Sequence, residues 1–153
     1  MLAEEIDILD LRLLRRLAHN SRISVRSLAS QLGIPHTTLY SRIRRLERLG
    51  VIKRYTIMPD LAKLGYTITA VTSVSVEGRY IEELEETVSR RTETVAVYDI
   101  TGEYDMLIVA KFRGIGELDS FIKWLNKQRG VRRTETSVVF RIVKEDLASP
   151  LIG

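Results

Sequence analysis

Within GIPHTTLYSRIRRLERLGVI, Gly33 to Ile52, four arginines stand beside one glutamate. Arg42, Arg44, Arg45 and Arg48 each carry a planar, permanently charged guanidinium. Its donor fork matches phosphate oxygens or the O6/N7 edge of guanine. Just ahead of them come Thr37, Thr38, Tyr40 and Ser41. Short hydroxyl side chains reach base edges or phosphates without blocking a groove. The chemistry on offer is recognition of a polyanion, provided these groups share one face.

Their spacing predicts that most of them do. Leu39, Ile43 and Leu46 recur at i, i+4 and i+7, with Leu49 nearby on the wheel, so a helix should begin near His36. At about 100° per residue, Thr37, Ser41, Arg44 and Arg48 fall opposite that apolar stripe, flanked by Thr38, Tyr40 and Arg45. Taken alone, such a helix is equally a solvated basic face. Its neighbours argue for more. IDILDLRLLRRLAHN predicts a first helix, with Asp7 and Asp10 where carboxylates complement the dipole and Leu13, Leu14 and Leu17 as its stripe. Ser24 is placed to cap a short second helix, VRSLASQL, with Leu28 and Leu32 inward and Ala29 permitting close contact. Gly33 supplies the left-handed stop, and Pro35 forces Ile34 extended. Two short helices about a tight glycine-containing turn, the second basic, make a helix-turn-helix. VIKRYTIMP, following Gly50, reads as a strand carrying Lys53 and Arg54, either a wing or a connector.

Charge follows the same division. Residues 1–60 hold 11 Lys/Arg against 6 Asp/Glu, whereas residues 61–153 hold 13 against 14, so the net +4 of the chain belongs to its first part. A basic segment beside a near-neutral one points to nucleic-acid binding by the former. At 44% hydrophobic and 29% charged, the 153 residues can build a core, which argues against disorder. No apolar run approaches the roughly 20 residues of a membrane span. The acidic start, MLAEEIDILD, lacks the basic opening of a signal peptide. The absence of cysteine removes thiol nucleophiles and thiolate metal sites, and fits a cytoplasmic protein.

Beyond Pro59 and Gly65 the period changes. TITAVTSVSVE alternates as a strand, with Ile68, Ala70, Thr72, Val74 and Val76 on one face. YIEELEETVSRR has helical spacing, TVAVYDIT is a strand, GEYD a tight turn and MLIVAKF a strand. ELDSFIKWLNKQRG is a helix and VRRTETSVVFRIV a final strand. The order βαββαβ is the ferredoxin-like arrangement. MLIVA and SVVF are apolar on both sides, so the sheet face without helices needs a cover, most simply a second copy in a symmetric dimer. Two recognition helices related by a two-fold axis would then read a palindrome-like duplex site.

Taken in order, IDILDLRLL, ISVRSLASQLGIP, LERLGVIKRYT, KLGY, TGEYD and TETSVV resemble the Lrp/AsnC (feast/famine) transcription regulators, from about Ile6 to about Lys144. The resemblance implies an α+β protein: a winged helix-turn-helix DNA-binding domain over 1–52, a linker strand and hinge over 53–65, and a ferredoxin-like effector and oligomerisation domain over 66–153. It implies homodimers that assemble further, often to octamers, with the linker strand VIKRYTI paired to its copy. It also implies a small amino-acid effector, bound by the turn matching Gly102, Glu103, Tyr104 and Asp105 and by the last strand near Thr134 and Thr136. The residues suit that ligand. Asp105 or Glu103 can take an ammonium, and backbone amides with the Thr134 and Thr136 hydroxyls a carboxylate. GEYD is equally an ordinary hairpin turn. One departure concerns the recognition helix, where the family's serine N-cap is replaced by Pro35, so that His36 or Thr37 is expected to cap.

Rival functions leave weaker traces. His19 and His36 have no nearby metal ligands at a recognisable spacing, and there is neither a phosphate-binding glycine loop nor a serine elbow. Glu82, Glu83, Glu85 and Glu86 read as a solvated helix face. The expectation is a non-enzymatic, sequence-specific DNA-binding transcriptional regulator without metal or cofactor, contacting DNA through Thr37, Thr38, Tyr40, Ser41, Arg44, Arg45 and Arg48. The alternative is an effector-independent architectural DNA-binding protein.

Overall fold

The computed structural model describes residues 6–152. Two compact units form. One holds the chain up to Met58 together with the segment from Lys144, the other Pro59–Val143. The division falls between Met58 and Pro59, within the expected 53–65 linker, and the segment from Lys144 groups with the first unit and not with the rest of 66–153.

In the first unit, α1 (Ile8–His19), α2 (Val25–Leu32) and α3 (His36–Arg48) enclose Leu13, Leu28, Ala29, Leu32, Leu39, Ile43 and Leu46. These are the stripes read from the spacing. Burial of each leucine contributes roughly 1.5–3 kcal/mol. Ser24 caps α2 by accepting from Ser27 N–H at 3.1 Å, and Gly33 ends it at φ 70, a left-handed conformation that glycine reaches without a Cβ penalty. A short helix, α6 (Ser149–Ile152), packs against α1.

Two strand expectations are corrected. VIKRYTIMP forms no ladder: residues 51–60 carry no strand, because a strand exists only by pairing and none of the described strands lies alongside. The final strand stops at Val138; Val139 still donates to Thr69 O at 2.8 Å, and the chain then leaves the sheet.

The second unit runs β1 (Ile68–Val76), α4 (Ile81–Ser89), β2 (Thr94–Asp99), β3 (Met106–Phe112), α5 (Ile115–Leu125) and β4 (Val131–Val138). Its antiparallel sheet has the order β2-β3-β1-β4, the βαββαβ topology expected. Ala70, Val74, Ile108, Ala110 and Phe112 form the core with Leu84, Val88, Leu118, Phe121 and Leu125 from the two helices. Pairing sets the faces. Thr72 opposes Thr136 and Val74 opposes Thr134, on the helix-covered side, whereas Ser73 opposes Glu135 and Ser75 opposes Arg133 on the other. No helix among the described residues is long and apolar enough to cross a membrane.

Candidate nucleic-acid interface and effector turn

Helix α3 presents the two faces that its spacing demanded. Leu39, Ile43 and Leu46 are buried, while Thr37, Thr38, Tyr40, Ser41, Arg44 and Arg48 are exposed. The helix starts at Pro35, and no side chain caps it. The expected substitute caps, His36 and Thr37, do not form, because Pro35 itself occupies the N-cap position at φ −60 and ψ 141 and has no acceptor to offer. First-turn N–H groups therefore lack a side-chain acceptor, at the positive end of the helix dipole.

Arg44 is drawn along the surface. Its Nε donates to Tyr40 Oη at 3.0 Å and its guanidinium lies 5.4 Å from the Tyr40 ring. Glu47 receives Tyr55 Oη at 3.1 Å. Burial and that carboxylate hold the Tyr55 phenol above its ordinary range.

Arg45 has a different neighbour from the one its place on the wheel suggested. It pairs with Asp10 of α1, and Arg42 pairs with both Asp10 at 2.8 Å and Asp7 at 2.6 Å. Asp10 is 0% exposed. Asp7 and Asp10 also form a reciprocal capping box, Asp10 N–H to Asp7 Oδ1 at 2.8 Å and Asp7 N–H to Asp10 Oδ2 at 3.1 Å. The Asp10 N–H, followed by the Arg42 guanidinium, holds the Asp7 carboxyl below its ordinary range. A buried carboxylate shared by two guanidiniums ties α1 to the recognition helix. From the sequence, Asp10 had only a helix-dipole role and no pairing with Arg42. The signal was there: Asp10 sits at the i, i+3, i+4 and i+7 positions of the Leu13, Leu14 and Leu17 stripe, where a carboxylate must find a cation. Asp7, Thr37, Thr38, Ser41, Arg42 and Arg45 line one open depression on this side of the unit.

The residues expected at an effector site do not converge within the chain. Gly102 takes φ 123 in the turn, a conformation glycine permits. Asp105 turns back into the fold, its carboxylate accepting Val76 N–H at 2.8 Å. Thr136 bonds Thr72 at 3.0 Å and Thr134 bonds Asn126 at 2.9 Å, both on the helix-covered face. Tyr104 instead donates to Glu135 at 2.5 Å, which raises its phenol pKa, while Arg133 bonds Glu103 at 3.0 Å and Glu135 at 3.2 Å. The turn thus joins Arg133 and Glu135, not the threonines, because alternate residues of β4 point to opposite faces. That alternation was available from the sequence. Among the described residues no three metal-binding side chains gather.

Comparison with known proteins agrees with this architecture. Residues 6–53 match the family described as "Winged helix-turn-helix DNA-binding", and residues 69–148 the "Lrp/AsnC ligand binding domain". An uncharacterized HTH-type transcriptional regulator of Pyrococcus furiosus is 41% identical over 142 residues, covering 93% of this chain and 96% of that protein. A crystal structure of an AsnC family transcriptional regulator from Agrobacterium tumefaciens superposes with a TM-score of 0.84 at 26% identity, over 93% of this chain and 95% of that one. A transcriptional regulator of Neisseria meningitidis, solved as a complex with L-Met, superposes with a TM-score of 0.84 at 22% identity, over 93% and 94%.

Proposed function

From the premise that this chain belongs to the Lrp/AsnC family of transcriptional regulators, we propose that it binds specific duplex sites through α3 and that an amino acid modulates this binding or the assembly behind it. The observation that carries the DNA reading is the division of α3 into a buried leucine face and an exposed face of Thr37, Thr38, Tyr40, Ser41, Arg44 and Arg48. The hydroxyls and uncapped N–H groups enter the major groove first, and the guanidiniums behind them take guanine edges or phosphate. Arg45 serves as a phosphate ligand whose direction Asp10 fixes.

The chain works as a homodimer, on which larger assemblies such as an octamer are built. Ile57 is 79% exposed and Phe140 is fully exposed, with Met58, Ile142 and Val143 also open. Apolar exposure of that kind calls for a protein cover. Residues 51–58 pair with their copy across the two-fold axis, and a palindrome-like operator follows from that symmetry. The effector site is the Gly102–Asp105 turn with β4. Glu103 and Glu135 take the ammonium and Arg133 the carboxylate, while the hydroxyls of Thr134 and Thr136 belong to the site only if a second copy brings them to the ligand.

The test is a DNA-binding titration against the upstream region of its own gene, at two salt concentrations, with and without an amino-acid mixture. Saturable binding over competitor DNA that shifts with one amino acid is the expected result. Specific binding indifferent to every amino acid would leave the architectural alternative, and no binding at low salt would remove the DNA reading.

A further inference from the structure

Helix α1 carries a second basic surface. Arg12, Arg15, Arg16 and His19 stand at i, i+3, i+4 and i+7, all exposed. On the helical wheel their centre lies roughly 150° from the face of Asp10, Leu13, Leu14 and Leu17 that packs on the other helices. This stripe therefore points away from the unit's core and from the contacts of Asp7 and Asp10 with α3. Among the described residues no carboxylate pairs with Arg12, Arg15 or Arg16. Like charges three and four residues apart destabilise a helix by a few tenths of a kcal/mol per pair. The favourable dipole at the helix end explains Arg16 and His19 but not Arg12, which lies in the second turn.

The surface is shaped as well as charged. Arg15 Nε donates to the Leu151 carbonyl of α6 at 3.1 Å. Arg12, Arg15, Arg16 and His19 with Ile152 line a cavity of about 270 Å³. One arginine is thus oriented by the C-terminal segment, and the other two remain available beside it.

We propose that this stripe is a second phosphate-binding surface, gripping duplex backbone that α3 does not touch. Resting on the DNA-binding reading above, it adds a sequence-independent contact to a sequence-reading one. The stripe rises roughly 10 Å along α1, so its guanidiniums can reach more than one phosphate of a strand. Guanidinium forks match phosphate oxygens bidentately, and once α3 is engaged duplex is the polyanion at highest local concentration. The fork matches carboxylates equally well, so it is the local concentration of duplex that favours DNA over an acidic protein.

The test uses the full chain and a fluorescent 40-base-pair duplex of random sequence, with the salt dependence of affinity read by anisotropy. Arg12→Gln/Arg15→Gln/Arg16→Gln keeps good helix formers throughout, and circular dichroism verifies that the helices persist. The slope of log affinity against log salt should fall by about 2 to 3 for each chain engaged. The corresponding triple lysine variant should restore it. Arg44→Ala/Arg48→Ala should lower the slope separately and additively. An unchanged slope in the glutamine variant, with the α3 variant still defective, overturns this proposal and leaves the recognition face standing. Displacement of the stripe-dependent component by polyglutamate as readily as by unlabelled duplex also overturns it, assigning the surface to acidic protein. A parent chain that binds no duplex at low salt removes both readings.

Discussion

Asp10→Asn probes the contact between α1 and the recognition helix at nearly constant volume. The carboxylate is fully buried and accepts Arg42 at 2.8 Å, Arg45, and its neighbour's N–H at 3.1 Å. Asparagine keeps one acceptor, but its amide nitrogen then faces a guanidinium, donor against donor. Removing one partner of a buried ion pair costs about 3–5 kcal/mol when the stranded charge stays buried. Here the side chains of Arg42 and Arg45 are 25% and 36% exposed, so both can turn to water. Solvent screening brings the expected loss to about 2–3 kcal/mol. The assay is urea unfolding of the full chain followed by far-ultraviolet circular dichroism, where the first unit's helices should melt at lower denaturant with an unchanged slope. Replacing all three groups, as Asp10→Leu/Arg42→Met/Arg45→Met, should recover most of that loss, since a packed apolar substitute removes the desolvation cost. Stability of Asp10→Asn within ~0.5 kcal/mol of the parent would refute the claim that this network holds α3 in place.

Other outcomes follow from the same geometry. Arg44→Ala/Arg48→Ala should weaken duplex binding by a few kcal/mol at most and reduce the salt slope by roughly 2, as measured by anisotropy across a salt series. Because the folded pKa of Asp7 lies below its unfolded value of 3.8, its contribution is complete above that value and is lost as pH falls through the folded pKa; the parent's unfolding midpoint should drop more than that of Asp7→Asn between pH 6 and pH 3. Arg133→Gln should blunt any amino-acid response without changing DNA binding in the absence of effector, a separation that parallel titrations would reveal. Gly130→Ala should cost about 2–4 kcal/mol in a thermal or urea melt, since φ is +79 and the new methyl would meet the Tyr80 ring at 2.5–2.8 Å.

Much of this protein was written in its local sequence. The leucine stripes of α1 to α3, the Ser24 cap, the Gly33 stop and the alternation of β1 each depend on residues within a turn or two of one another, and each formed as read. The exposed face of α3 is a consequence of the same periodicity. Tertiary structure decided what depends on partners distant in the chain. Arg42 and Arg45 found Asp7 and Asp10, more than thirty residues away in sequence, and a buried carboxylate outcompeted solvent for them. Strand register put Thr134 and Thr136 on one face and the Tyr104–Glu135 contact on the other, and VIKRYTIMP stayed unpaired because periodicity specifies a strand's faces but cannot supply the neighbour that its backbone needs.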